Sequence, residues 1–317
     1  MGAGAVCRNI DDLPHGVGRA ISLGSFDGFH LGHQAIVKAL VSNASKAGLR
    51  PLVITFDPHP RTVINPSKAP RLVMTPNEEI DALRTGYDGD ILTLPFDQAT
   101  RNMSASEFIK GTLIERLGMK ALICGENHTI GKNREGDAKR LKELASQLGF
   151  EFEVVAPVVV DGKNISSTAI RGLIAEGDIP AANKLMGASY RITGEVVTGI
   201  KLGHKIGYPT ANIKIDPRKA LPREGIYASF VDIGKSRYGA MLFVGVNHLD
   251  PQRSFSVEAN IFDFDRELYG EIISYIPVSY LRESRPIATS QELKAQLSND
   301  KNEILHILEE KERQSVF

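Results

Sequence analysis

The feature that most constrains this chain is a regular alternation of short apolar runs and amphipathic stretches through its first half. Ala20 to Leu23 reads as a buried strand. Leu31 to Ala47 reads as a helix with Ile36, Val37, Leu40, Val41 and Ala44 on one face, and Leu52 to Phe56 as a second strand. The pattern continues with a helix over Asn77 to Arg84 and an extended run over Asp90 to Leu94. A helix opened by the capping box Ser104/Glu107 follows, then a strand over Ala121 to Cys124, a helix over Ala138 to Leu148 ended by Gly149, and a strand over Phe152 to Val155. Such alternation predicts an α/β domain with a parallel sheet covered on both faces, whose ligands bind outside the carboxyl ends of the strands.

Around Tyr190 the texture changes. Gly-punctuated β-rich segments take over at Tyr190 to Val197, Ile226 to Ile233, Ala240 to Val246, Phe255 to Phe264 and Glu271 to Val278. In the fourth, Phe255, Val257, Ala259 and Ile261 alternate with Ser256, Glu258 and Asn260, which predicts one buried face. Short strands separated by turns predict a small all-β barrel, followed from Ser290 by a helix carrying Leu293, Leu297, Ile304, Leu305 and Ile307. With the helix Ile179 to Met186 closing the first domain, the expected division is 1–186 and 187–317, a size that suits two domains in a 317-residue chain.

Charge narrows the function classes. Lys plus Arg and Asp plus Glu are equal at 38 each, so no global field points to a nucleic-acid or anionic-membrane partner. Phosphate binding then has to come from local geometry. Cys7 and Cys124 are far apart and form no metal-ligand pattern, which suits a reducing cytoplasmic setting. Arg8, Asp11 and Asp12 interrupt any apolar leader, Val6 stands where a myristoylation signal takes Ser or Thr, and no apolar run approaches the ~18–20 residues of a membrane span.

Two segments carry chemistry. Gly24 to Gln34 reads GSFDGFHLGHQ, with His30 and His33 astride a loop-to-helix junction directly after a strand. A helix N-terminus offers unpaired N–H groups to phosphate oxygens, imidazole N–H groups add hydrogen bonds as charge builds, and Gly24, Gly28 and Gly32 let the backbone come close to a nucleotide. Metal ligation and simple packing are the alternative fates of two histidines. Ile165 to Arg171 (ISSTAIR) opens a second helix, where Ser167 or Thr168 caps and Arg171 offers a fixed fork for phosphate; an ordinary N-cap beside a surface arginine is the bland reading. In the second half, Gly199 to Asn212 reads GIKLGHKIGYPTAN. Gly199, Gly203 and Gly207 frame Lys201 and Lys205, and Pro209 precedes Thr210 and Asn212. Backbone N–H groups of such a loop wrap phosphates while Thr and Asn oxygens suit Mg²⁺, although a hairpin loop has the same composition. Glu258, on the polar side of its strand, is either a proton acceptor for a substrate hydroxyl or a solvated strand residue.

GSFDGFHLGHQ, TFDPHP (Thr55 to Pro60), PFDQ (Pro95 to Gln98), GENHTIGKNREGD (Gly125 to Asp137) and ISSTAIR together resemble, over about residues 18–186, the FMN adenylyltransferase module of bacterial bifunctional riboflavin kinase/FMN adenylyltransferases, the FAD synthetases. KLGHKIGYPTANI, GIYA (Gly225 to Ala228), VEANIFDFDRELYGE (Val257 to Glu271) and LRES (Leu281 to Ser284) resemble the riboflavin kinase module over about residues 187–312. The resemblance implies a Rossmann-like nucleotidyltransferase fold followed by the barrel. It implies that ATP is bound by Gly24, Phe26, Asp27, His30, His33, Ser167, Thr168 and Arg171 in the first half. In the second half the ATP loop is Gly199, Lys201, Gly203, Lys205, Gly207 and Thr210. Thr210 and Asn212 fall at the ATP–Mg²⁺ site and Glu258 at the catalytic base for the ribityl 5′-hydroxyl. His59, Arg61, Asn127 and Arg282 fall near the flavin, and His30, His33, Arg171 and Glu258 carry the catalysis. ATP, riboflavin and FMN are the expected substrates and FAD the final product.

The chain departs from the family pattern in places. His128-Thr129-Ile130-Gly131 stands where the family has Phe-x-Phe-Gly, leaving Phe56 or Phe96 as aromatic stand-ins or a lower affinity for FMN. Phe243 to Leu249 and Ser284 to Ile287 differ from the kinase pattern around riboflavin, so an active adenylyltransferase joined to a weak or silent kinase is the alternative expectation, with a flavin-binding regulator behind it.

Overall fold

The structure, a computed structural model, describes residues 4–199, 203, 207–246, 254–285 and 289–315. The chain forms two compact units, Met1–Pro70 with Pro76–Ser167, and Arg71–Thr75 with Thr168–Phe317.

In the first unit β1 (Val6–Cys7), β2 (Arg19–Leu23), β3 (Arg50–Phe56), β4 (Asp90–Leu94), β5 (Met119–Gly125) and β6 (Glu151–Val155) form a sheet in the order β1-β4-β3-β2-β5-β6, parallel throughout. The connecting segments include α1 (Leu31–Ala47), α2 (Pro60–Ile64), α3 (Pro76–Arg84), α4 (Gln98–Asn102), α5 (Ala105–Glu107) and α6 (Ala138–Leu148). Successive strand residues point to opposite faces. Ile21, Leu52, Ile54 and Leu122 join Leu113, Leu141 and Leu144 on one side, whereas Ala20, Val53, Ala121 and Ile123 join Val37, Leu40 and Leu83 on the other. Both faces of the central strands are thus dry, as their near-continuous apolar runs predict, while the edge strand β6 is largely exposed. The capping box forms as expected, Ser104 N–H donating to Glu107 Oε2 at 2.7 Å, but the turn widens into a π-helix over Phe108–Arg116.

In the second unit β9 (Ile192–Val197), β10 (Ala211–Lys214), β11 (Gly225–Ile233), β12 (Ser236–Val246), β13 (Phe255–Ile261) and β14 (Ile272–Arg282) close into an antiparallel barrel in the order β10-β13-β12-β11-β14-β9. Before it come the hairpin β7 (Val159–Val160) and β8 (Lys163–Asn164), in the first unit, and the helices α7 (Ser167–Glu176) and α8 (Ile179–Met186). The C-terminal helix α9 (Ser290–Ser315) lays Ile304 and Leu308 over Ile226, Phe230, Met241 and Ile276 on the outside of the barrel.

The barrel corrects two expectations. The segment before Asn212 is not loop to its end: Ala211–Lys214 is a strand pairing with both β9 and β13, its signal hidden by the adjoining Pro209 and the lysines. And β13 does not alternate between buried and exposed. Residues Val257 to Ile261 are buried on both faces while Phe255 is 48% exposed. A closed barrel covered outside by other chain segments dries both faces of a strand, which the period of two does not anticipate.

Candidate functional site

In the first unit β2 ends beside β5, with β3 and β4 on one flank and β6 on the other, so a crevice opens where the strand order reverses. The loop Gly24–His30 and the start of α1 fill its floor. The cleft, of about 230 Å³, is lined by Gly24, Phe26, His30, His33, Asn127 and His128 among others, and its wall includes Ile165, two residues before α7 opens at Ser167. Gly28 turns the loop at φ +84°, and Phe29 follows at φ +29°, its carbonyl held by the Gln34 amide at 2.9 Å. Gly32 lies close to the His30 ring: a Cβ there would sit 3.2 Å from it, a tight contact.

His30 is the N-cap of α1, its Nδ1 accepting from the His33 N–H at 3.3 Å. That bond leaves the proton on Nε2. The two rings stack at 3.7 Å with 14° between their planes, and Phe26 packs edge-on against His33. Burial pulls the His30 pKa down to about 4. Burial, then the neighbouring His30, pulls His33 well below its ordinary value. Both are neutral imidazoles near pH 7, and each offers an N–H donor rather than a charge. His33 Nδ1 is buried and has no partner among the described residues. Packing alone leaves that atom unexplained.

The other expected residues fall as follows. Asn127 is exposed on the cleft wall. Asp27 is 2% exposed and absent from the cleft lining. Thr168 and Arg171 lie on the first turns of α7, with Arg171 Nη2 donating to Thr168 Oγ1 at 3.1 Å. His59 caps α2 by accepting from the Arg61 N–H at 3.1 Å, and neither residue lines the cleft. Phe56 and Phe96 meet edge to face at 5.6 Å. Ile130, in one of the positions of the family's aromatics, is buried in the core, and burial pulls the His128 pKa down to about 4.

In the second unit β10 and β12 flank β13, and the register sets Asn212 and Phe243 opposite Glu258. Glu258 is 8% exposed, not solvated: its Oε2 accepts from Thr210 Oγ1 at 2.7 Å and Asn212 Nδ2 at 3.0 Å, and its Oε1 from Ser256 Oγ at 3.3 Å. Gly199 admits this cluster, since a Cβ there would meet the Asn212 amide at 2.4 Å. The stretch from Gly199 to Thr210 joins antiparallel β9 and β10, so the loop is also a hairpin connection. Gly203 accepts from the Tyr208 N–H at 2.9 Å, Gly207 lines an open cavity with Asp265, Lys294 and Lys301, and Asn260 Nδ2 holds the Pro209 carbonyl at 2.7 Å. Lys201, Lys205, His248 and Ile287 lie outside the described residues.

Arg282 points its guanidinium at Asp300 of α9, with Nε to Oδ1 at 2.9 Å, and Gln296 donates to the same carboxylate. Asp300 is 2% exposed. Asp300→Ala, which strands the Arg282 guanidinium, is expected to lower stability by roughly 3 kcal/mol, read by urea unfolding of the full chain.

Sequence reasoning missed Ser256 and Asp300, and it missed a buried carboxyl group, Glu79 in the first turn of α3. Two acids in the first turn of a helix ordinarily signal a solvated N-terminus favoured by the dipole.

The FAD synthetase family model matches residues 14–169 and the riboflavin kinase model residues 186–308. Proteins named bifunctional riboflavin kinase/FMN adenylyltransferase are similar over most of the chain. The one from Pseudomonas fluorescens is 32% identical over 92% of this chain and 94% of its own length. That from Escherichia coli K12 is 30% identical over 92% and 93%. A crystal structure from Streptococcus pneumoniae, described as a macrolide-efflux protein, superposes with a TM-score of 0.83 at 30% identity, covering 95% of this chain and 98% of that one. Among the described residues no helix is long and apolar enough to cross a membrane.

Proposed function

Because this chain belongs to the bifunctional riboflavin kinase/FMN adenylyltransferase family, we propose that its adenylyl transfer runs on His30 and His33 and its kinase reaction on Glu258. The chain phosphorylates riboflavin to FMN and joins AMP from ATP to FMN, giving FAD and pyrophosphate. We divide the two modules at 1–186 and 187–317, a reading supported by the extents of the two family matches.

The observation that carries the first assignment is the stacked, neutral imidazole pair at the N-terminus of α1, in a crevice at the carboxyl ends of β2 and β5. An FMN phosphate oxygen attacks the α-phosphorus of ATP, the bond to the β-phosphate oxygen breaks, and pyrophosphate leaves. The chain's part is positioning, with imidazole and helix N–H groups donating to oxygens on which charge builds. Ser167, Thr168 and Arg171 supply further phosphate donors, supported by the bond that already orients Arg171 along α7. Asn127 on the cleft wall, and His59 and Arg61 at α2, are assigned to FMN, with Phe56 and Phe96 as a neighbouring aromatic surface.

For the kinase, Glu258 takes the proton of the ribityl 5′-hydroxyl as that oxygen attacks the γ-phosphorus and ADP leaves. Support comes from its burial among Thr210, Asn212 and Ser256, which fix the carboxylate in place. A hydroxyl, a side-chain amide and a carboxylate are the hard oxygen donors that suit Mg²⁺, which ordinarily keeps phosphates and waters as its other ligands. Thr210 and Asn212 would hold it, and when bound it neutralises phosphate charge. Two buried free thiols, Cys7 and Cys124, suit a reducing cytoplasm.

Chromatography of riboflavin, ATP and Mg²⁺ incubated with the chain tests the whole. FMN and then FAD are expected, and FAD alone from added FMN would point to a silent kinase.

A further inference from the structure

Two side chains of the second unit grip the backbone on either side of Thr210. From β13, Asn260 Nδ2 donates to the Pro209 carbonyl at 2.7 Å, and from β14 the Tyr275 hydroxyl donates to the Ala211 carbonyl. Both side chains are buried, Tyr275 completely. Ile276 joins Ile304 and Leu308 of α9 outside the barrel, so Tyr275, one residue earlier on the strand, faces the interior. In the barrel β9 lies between β14 and β10, and the phenol reaches past it to β10.

The backbone held in this way carries the donors to Glu258. The Thr210 hydroxyl and the Asn212 amide both donate to Glu258 Oε2, and Ala211 is the residue between them. The start of β10 is thinly held by the sheet itself. Its pairing with β9 runs over Asn212 to Lys214, and its pairing with β13 over Ala211 and Asn212. A peptide at such an end can swing unless something else fixes its carbonyl, and a peptide that swings takes the neighbouring side chains with it.

We infer that Tyr275, with Asn260 as its counterpart, is a positioning residue for riboflavin phosphorylation: from inside the barrel its hydroxyl fixes the Ala211 carbonyl and, through the backbone, holds Thr210 and Asn212 on the Glu258 carboxylate. The inference rests on the reading that Glu258 takes the proton of the ribityl hydroxyl. Tyr275 is fully buried and offers no surface to a substrate, so it acts only through β10. Burial first, and the Glu258 carboxylate second, push its pKa up, which keeps the phenol a protonated donor. A base displaced from its line to the reacting hydroxyl costs rate rather than affinity, because other groups bind the substrates.

The test compares kcat for FMN formation from riboflavin, ATP and Mg²⁺ in the full chain, for the wild type, Tyr275→Phe, Glu258→Gln and the double variant. Tyr275→Phe keeps the ring and removes one hydroxyl, so the barrel interior stays filled. It is expected to lower kcat about tenfold, the scale of a buried carbonyl left without its donor, with KM for riboflavin and for ATP within about twofold of the wild type. A merely structural tyrosine would lower the melting temperature and leave kcat of the folded chain alone. In the Glu258→Gln background no base remains to be aimed, so the same substitution should change the residual kcat by less than about twofold. FAD formation from FMN, measured on the same samples, should not move. Wild-type kcat in Tyr275→Phe, or a tenfold loss that persists in the Glu258→Gln background, would overturn the assignment. If Tyr275→Phe does not fold, Asn260→Ala, which frees the carbonyl on the other side of Thr210, goes through the same cycle and the same outcomes decide. Wild-type kcat in Glu258→Gln alone would instead remove the premise, that Glu258 is the base, and is read from that variant by itself.

Discussion

His30→Asn and His33→Ala will each lower FAD formation from FMN and ATP by roughly 10²-fold, the scale on which preorganised donors to transition-state charge act. The two substitutions separate structure from chemistry. His30 has two jobs: its Nδ1 caps α1 by accepting from the His33 N–H, and its Nε2–H remains for the ligand. Asparagine preserves a good N-cap acceptor, so the helix and the thermal stability are retained while the imidazole donor is lost. His33 contributes to the cap only through its backbone, so alanine there removes the ring alone. Burial holds the His30 pKa at about 4, so that ring stays mostly neutral as pH falls from 7 to 5. An acid limb of adenylyl transfer in that range is therefore not expected from His30. Steady-state rates of FAD formation with thermal melts as a control check both points, and near-normal turnover in both variants would end the assignment.

Local patterns announced much of this molecule. The strand before GSFDGFHLGHQ, the helix Leu31–Ala47 and the placing of the histidines at their junction all follow from neighbours in sequence, because apolar period and capping are short-range physics. The switch to a barrel after Tyr190 was legible for the same reason. What was not legible is set by pairing at long range. Asn212 meets Glu258 only because β10 and β13 are neighbours in a particular register, and nothing near Ala211 advertises a strand. Asp27 looked like a ligand residue within a motif, yet it is buried and does not line the cleft, while the buried Glu79 came from a segment with no motif at all. Arg282 likewise finds its bidentate partner in α9, a contact fixed by how that helix docks on the barrel. Burial of a polar side chain is decided by what covers it, and the cover here is always distant in sequence.

Glu258→Gln is expected to reduce FMN formation from riboflavin by roughly 10²- to 10⁴-fold while leaving FAD formation from FMN within about twofold of the wild type. The surroundings make this a clean substitution. Two donors, the Thr210 hydroxyl and the Asn212 amide, converge on Oε2, and Ser256 approaches Oε1. A glutamine can present its carbonyl oxygen to the first two and its amide nitrogen to the Ser256 hydroxyl, which rotates to accept. These three hydrogen bonds then survive, and the capacity to take a proton is gone. The loss should therefore fall on kcat for riboflavin phosphorylation with little change in KM for ATP, the pattern of an interaction made only in the transition state. Alanine would be less informative, since it strands the Asn212 amide and loosens the strand pair β10–β13 along with the chemistry. Wild-type kcat in Glu258→Gln would mean that the hydroxyl proton leaves by another route. If both reactions fell together, one site would be serving two steps, and assigning each reaction its own groups would fail.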